Sequence, residues 1–339
     1  MIKKFLLVLS ILLTAFLTYH YKAVFYGLGQ AAGQAEVLWN AKPIDQLMNS
    51  SDFPDSTKAK FKYIQKVKQF AQDSLGLNPS KNYSTFYDQK GKPILWVVTA
   101  SPEFEIKAHQ WSFPLAGKFS YKGFFDHLKA EKEAEKMKQK GYDTEIDEVN
   151  AWSTLGWFRD PILSSMLNRS DGSLAELIIH ELTHATIYRK DAVEFNENFA
   201  TFIGRKGAEA FLKSHFGSES EELKEYRESQ ARKTYFKSFV QKAIEELNNI
   251  YASFDEKLSL AEKRKIKAEA IENLKNRLAN SSYYQGSVKG KKRLANFTPN
   301  NAYFSGYSTY NANQTNLQSR LKSEFNGDLK ALITAIKQE

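Results

Sequence analysis

"HELTHATIYRKDAVEFNENFATF", residues 180–202, is the stretch on which the reading of this chain turns. His180 and His184 stand four apart, Glu181 follows the first of them, and Glu197 lies thirteen residues past the second. Just upstream, Ser173-Leu174-Ala175-Glu176 has the form of a capping box, in which a hydroxyl and a glutamate three residues apart satisfy exposed amides at a helix start. Leu174, Leu177, Ile178 and Leu182 supply one apolar side, so a helix is predicted over about 173–189. On that helix the two histidines are one turn apart on one face, with β-carbons about 5–6 Å apart. Both imidazoles can then reach a single metal ion. Glu181 sits beside the pair, able to hydrogen-bond a water at the metal without taking a coordination place.

His-Glu-x-x-His is the motif of zinc hydrolases built in this way. A catalytic zinc takes three protein ligands and keeps one position open. The metzincin solution needs a glycine and a histidine downstream, and those positions hold Ile187 and Lys190. The other solution is a glutamate on the next helix. "YRKDAVEFNENFATFIG" offers a turn at Arg189 to Asp191 and then a helix, predicted over 194–215, that contains both Glu194 and Glu197. Asn196-Glu197-x-x-Ala200 resembles the Asn-Glu-x-x-Ala signature of gluzincins, the thermolysin-like class. The resemblance selects Glu197, with Glu194 as the competitor, and Phe195, Phe199 and Phe202 are expected to pack inward beside it. The expected cofactor is Zn2+, held by His180, His184 and Glu197.

The 339 residues are 42% hydrophobic and 26% charged, the balance of a globular protein with a sizeable core. A net charge of +9 reads as a lysine-rich solvated surface, because Lys and Glu alternate along the helical stretches. The densest basic run, Lys289 to Arg293, lacks the interleaved aromatics of a single-strand-binding groove, and no nucleic-acid partner is expected. The chain has no cysteine, which excludes disulfides, thiolate metal sites, a cysteine nucleophile and a lipid-modified N-terminal cysteine. Lys3 and Lys4 precede the apolar run Phe5 to Leu17, the layout of a signal or anchor. No small-x-small cleavage site follows directly. Residues 1–21 are therefore read as an uncleaved anchor, with the lysines cytoplasmic and the remainder exported.

Residues 22–56 read as a membrane-proximal linker punctuated by Pro43 and Pro54, and 57–339 as the functional domain. Its 57–189 part mixes a helix from Lys58 to Leu75, β texture from Tyr83 to Phe119, a helix from Phe124 to Lys140 and extended segments from Tyr142 to Phe158. Its 190–339 part is helical, with helices over 219–252 and 257–278, a loop rich in Asn, Tyr and Gly over 280–313, and a last helical segment. The order predicts an α+β fold, predominantly helical, with a small sheet followed by a helical C-terminal half.

Four further blocks surround the metal motif: "GQAAGQAEVLWNAKPI" (29–44), "PLAGKFSYKGFFD" (114–126), "AWSTLGWFRDPILSSML" (151–167) and "NNAYFSGYSTY" (300–310). Together with the motif they resemble a bacterial family of predicted aminopeptidases, over about residues 24–335. The resemblance implies a gluzincin-like zinc metallopeptidase of the cell envelope, acting on peptides, with Glu181 as general base. It also implies attachment to the inner membrane, with the catalytic domain facing the periplasm or the outside. Many members carry a lipid-modified cysteine after the signal; this chain has none, which favours a plain transmembrane anchor. The oxyanion donor is sought among Tyr303, Tyr307, Tyr310 and His215, and the family block favours Tyr310. Asn300 and Asn301 either orient substrate or cap the turn after Pro299. The stretch 150–158 fits an edge strand that pairs with substrate backbone, with Trp152 and Trp157 as core aromatics. His20, His109 and His127 have no partner spacing and are read as structural or surface residues. The competing reading is a non-catalytic envelope binding or scaffold protein that retains a zinc site, although a purely structural zinc has no use for Glu181.

Overall fold

The computed structural model describes residues 1–51, 53–114, 117–149, 159–281, 284, 297–309 and 315–339. The chain is predominantly helical with small sheets, in agreement with the α+β expectation. It opens with α1 (Ile2–Tyr19) and α2 (Tyr21–Asn40), separated only by His20. The first of these is long and apolar enough to cross a membrane, and a signal sequence meets the same description. The 22–56 stretch, expected as a linker, is largely helix. Gly33 and Val37 bury one side of α2, Tyr26 and Gln30 both donate to the carbonyl of Gly123 at 2.9 and 3.0 Å, and Phe125 fills the space a β-carbon on Gly33 would need. Apolar and small residues at helical spacing carry α2, and Pro43 and Pro54, the punctuation of the expected linker, both fall beyond its end.

Beyond β1 (Lys42–Pro43) and the short α3 (Ile44–Met48) comes α4 (Asp55–Asp73), whose Phe61, Ile64, Val67 and Ala71 are almost fully buried. Next come β2 (Thr85–Tyr87), β3 (Leu95–Pro102), β4 (Trp111–Phe113), β5 (Gly117–Phe119), β6 (Lys122–Phe124), α5 (His127–Lys138), β7 (Tyr142–Val149) and β8 (Ile162–Leu163). Among the described residues they form sheets ordered β1-β2-β8, β6-β3-β7 and β4-β5. Within the β texture expected from Tyr83 to Phe119, residues 104–113 are strand only at their end, in β4. Ser101 explains the break, because its hydroxyl bonds the carbonyl of Glu105 and the amide of Lys107 and so turns the chain. The central strand β3 pairs antiparallel with β7 along its whole length, Leu95 opposite Val149 through Pro102 opposite Tyr142. Alternation then divides the sheet. Val98 and Ala100 face α5, packing on Ala130, Ala134 and Met137, while Thr99, Glu145 and Asp147 point to the other side.

The helical half comprises α6 (Asp171–His184), α7 (Val193–Phe216), α8 (Glu221–Ala252), α9 (Leu260–Ala279) and three shorter helices at Asn301–Thr309, Thr315–Ser323 and Leu329–Gln338. The largest core joins α4, α6, α7 and the last helix through Leu174, Ile178, Ile203, Leu212 and Leu332, each at 0% exposure. Burying side chains of this size contributes about 1.5–3 kcal/mol each. A helix stands where the Asn-rich loop was expected. Asn300 caps it, its Oδ1 accepting from the amides of Ala302 and Tyr303, and Asn301 anchors it to the sheet. Asn301 donates to the carbonyls of Pro102 and Glu103, and accepts from Tyr251 at 2.8 Å. Lys267 of α9 completes the join by pairing with Asp143 at 2.6 Å. Of the two roles left open for Asn300 and Asn301, these contacts are the structural one.

Candidate metal centre

The metal-site helix starts earlier and stops sooner than its sequence pattern predicted. Ser170, not Ser173, caps α6, accepting the Ser173 amide at 3.4 Å. Glu176 does not turn back to complete a capping box. Its carboxylate reaches across to α8 and accepts from Tyr226, Gln230 and Lys233 at 3.3, 2.6 and 3.1 Å. The helix ends at His184, where Thr183 and Thr186 turn their hydroxyls onto the carbonyls of Ile179 and Leu182. Such back-bonding competes with the next helical turn.

Between α6 and α7 the chain makes a tight connection held by Asn196. Its Oδ1 accepts the Arg189 amide at 2.9 Å and its Nδ2 donates to the Arg189 carbonyl at 2.8 Å. This buried amide fixes the first turn of α7 and therefore the residue beside it, Glu197. Phe199 and Phe202 are buried next to it, as expected, and Phe195 stacks on Phe199. Two turns further along, Gly204 lets the helices touch. A β-carbon there would lie 3.0 Å from the Glu176 carbonyl and 3.1 Å from the β-carbon of His180.

The result is a convergence of three donors. His180 Nε2 and His184 Nε2 are 3.1 Å apart, and Glu197 lies 3.6 Å from the first and 3.4 Å from the second. Glu194, the competing carboxylate, is exposed on the first turn of α7 and is not part of the group. A tetrahedral zinc with bonds of about 2.0–2.1 Å separates its ligand atoms by roughly 3.3 Å, so the spacing fits that ion. The His184 side chain is 3% exposed, that of His180 21% and that of Glu197 38%, so the cluster opens on the glutamate side. Burial pushes the His180 imidazole down to about 4, and His184 adds to the effect against the opposing pull of Glu197. Burial alone would raise Glu197. The hydrogen bond from His184 and the fields of both imidazoles hold it below the usual carboxylate range. Among the described residues, the buried His184 Nδ1 has no partner, so none of them supplies the carbonyl or carboxylate that commonly backs a ligating imidazole.

Around this centre lie residues that the sequence did not announce. Tyr83, fully buried and held at a positive φ of 61°, has its phenol raised by burial and by the fields of Glu181 and Asp160. It comes from an irregular stretch almost a hundred residues upstream, and no periodicity marks it. Arg205, one residue past the helix contact at Gly204, ion-pairs with Glu176 at 3.7 Å and acts on the half-buried Tyr307. Tyr303 packs between Phe297 and Phe304. His215, 18 residues beyond Glu197 and so about 27 Å along α7, stacks on Phe211 away from the centre. Tyr310, Trp152, Trp157 and the 150–158 stretch lie outside the described residues. His20 packs on Phe16 and Tyr19, His109 on Trp111 and Tyr142, and His127 on Trp96; none joins the cluster.

Two imidazoles from one helix and a carboxylate from the next define an α+β protein with a candidate three-ligand metal centre. A family profile described as "Putative aminopeptidase" matches residues 25–338, and the chain belongs to that family. No curated protein and no solved structure matches it.

Proposed function

We propose that this chain is a gluzincin-like zinc peptidase, an aminopeptidase, that cleaves peptide bonds outside the cytoplasm. The observation that carries the reading is the meeting of His180, His184 and Glu197 at tetrahedral spacing, with Glu181 next in sequence to the first ligand. When bound, zinc supplies an electrophile for the scissile carbonyl and makes water more acidic. Glu181 takes a proton from the attacking water and returns it to the leaving nitrogen as the C–N bond breaks. Tyr310 serves as hydrogen-bond donor to the oxygen that gains charge, and Tyr307 is the next candidate on the same segment. The apolar helix α1 supports attachment to the inner membrane, with the domain on the far side from Lys3 and Lys4.

The test is digestion of a peptide mixture by the full-length protein, read by mass spectrometry and paired with elemental analysis. The wild type is expected to hold about one zinc per chain and to release residues from free N-termini. Glu181→Gln keeps the zinc and loses turnover, and Tyr310→Phe keeps the zinc and lowers kcat about 10²–10³-fold. Zinc binding without hydrolysis by the wild type would overturn the enzyme in favour of a scaffold.

A further inference from the structure

We propose that the corner formed by Thr99 of β3 with Glu145 and Asp147 of β7 is a seat for an ammonium group of a bound peptide. The inference rests on the peptide-hydrolysing reading above and extends it to what the substrate must carry.

The register puts Thr99 opposite Glu145 and Val97 opposite Asp147, so all three polar side chains leave one face of the sheet, the face turned away from α5. Thr99 is 8% exposed and its hydroxyl oxygen is buried without a hydrogen-bond partner. The Glu145 Oε2 is likewise buried and unpartnered. Among the described residues neither atom has a partner, and two neighbouring buried polar atoms in that state are uncommon in folded proteins. Burial, and next to it the charge of Asp147, pushes Glu145 up to about 7, while Asp147 itself is solvent-exposed. Among the described residues the corner has an excess of acceptors and no cation of its own. Lys267, on the same face, is committed to Asp143 and to the Glu103 carbonyl at 2.6 and 2.8 Å. Among the described residues no lysine or arginine pairs with Glu145 or Asp147.

The roof is the Asn301–Thr309 helix. Its Gly306 faces Thr99, and a β-carbon there would stand 3.8 Å from the threonine methyl, so the glycine leaves that volume free. Tyr303, one turn earlier, is kept a neutral phenol by burial first, then by Tyr307, with both carboxylates adding to the effect. An ammonium offers three donors, and Thr99 Oγ1, Glu145 Oε2 and an Asp147 oxygen are three acceptors. Calcium wants six to eight oxygens and magnesium a near-ideal octahedron, and the corner provides neither. In the order β6-β3-β7, β7 is an edge among the described residues. An extended peptide can add to such an edge and direct alternate side chains toward one face.

The ammonium can belong to the peptide's N-terminus or to a lysine side chain, and binding to the full-length Glu181→Gln protein separates the two. Calorimetric titration uses one lysine-containing peptide, its N-acetylated form and its norleucine-for-lysine form. Removing the ammonium that sits in the corner is expected to weaken binding roughly 10- to 100-fold, the range for a hydrogen-bonded charge. Loss on acetylation assigns the seat to the N-terminus, and loss on norleucine substitution assigns it to the side chain. Glu145→Gln and Thr99→Val, each checked for a native unfolding transition, should shrink that gap toward onefold. Equal affinity for the three peptides, no binding by any, or a gap that survives both variants would overturn the seat. Hydrolysis by the wild type with no ammonium dependence would remove the seat and leave the peptidase. Ammonium-dependent binding with no hydrolysis would do the reverse.

Discussion

Glu145 is an acid whose folded environment favours its protonated form, and the sign of its effect on stability follows from that. Burial first, then Asp147, lifts it to about 7 from an ordinary value near 4.5, with Tyr303 facing both from the neighbouring helix. Between those two values the unfolded chain has released the proton and the folded chain has kept it. The unfolded state then binds fewer protons, so stability falls as pH rises through that window. The contribution is fully present below about pH 4.5 and is lost above about pH 7. Glu145→Gln imitates the protonated acid. It should match the wild type near pH 5 and exceed it at pH 8 by about 1–3 kcal/mol, since each tenfold change in proton affinity is worth about 1.4 kcal/mol. Thermal unfolding of both proteins at the two pH values checks this, and a wild type that is the more stable at pH 8 would contradict it. Asn196 is legible in the other direction. Its place in Asn-Glu-x-x-Ala was visible as a pattern, and its two bonds to Arg189 give the pattern its physical reason.

Between α6 and α7 the distance is set by Gly204 rather than by the ligands. Replacing it with alanine gains about 1 kcal/mol of helix propensity. The new methyl, however, meets a backbone carbonyl at 3.0 Å and the root of His180 at 3.1 Å, neither of which can swing aside. Overpacking of this kind costs about 1–3 kcal/mol, so the clash prevails. Gly204→Ala is expected to part the helices, lower zinc affinity at least tenfold and leave α6 and α7 helical. Competition with a chelating dye for zinc measures the first effect and circular dichroism the second. Unchanged affinity would mean that the helix gap does not govern the centre. The sequence made the two helices and the donor spacing readable, because i,i+4 geometry is local. It did not reveal where α6 would be capped, because Glu176 chose Tyr226, Gln230 and Lys233 over its own backbone. Nor did it reveal the Asn301–Thr309 helix, whose support comes from the carbonyls of Pro102 and Glu103 about two hundred residues upstream. Long-range partners of this kind leave no periodic trace.

At the scale of the whole molecule, the N-terminal helices carry the proposal of where the protein works. If α1 is retained, the full-length protein should sediment with membranes, resist alkaline carbonate and keep its first residues by N-terminal sequencing. A soluble mature form beginning near Gln30 would show removal instead. Retention has a mechanical corollary through α2. A flexible linker of twenty residues would let a domain roam about 22–27 Å from its point of attachment. Here the same length of chain is spent as a helix of about 30 Å, bonded through Tyr26 and Gln30 to Gly123 and closed over Phe125 at Gly33. Such a protein has no leash. Under the proposed anchoring and peptidase activity its centre would work at a single altitude above the lipid, and a peptide would become substrate by arriving in that thin layer, so abundance at the membrane surface would set the diet as firmly as the pocket does.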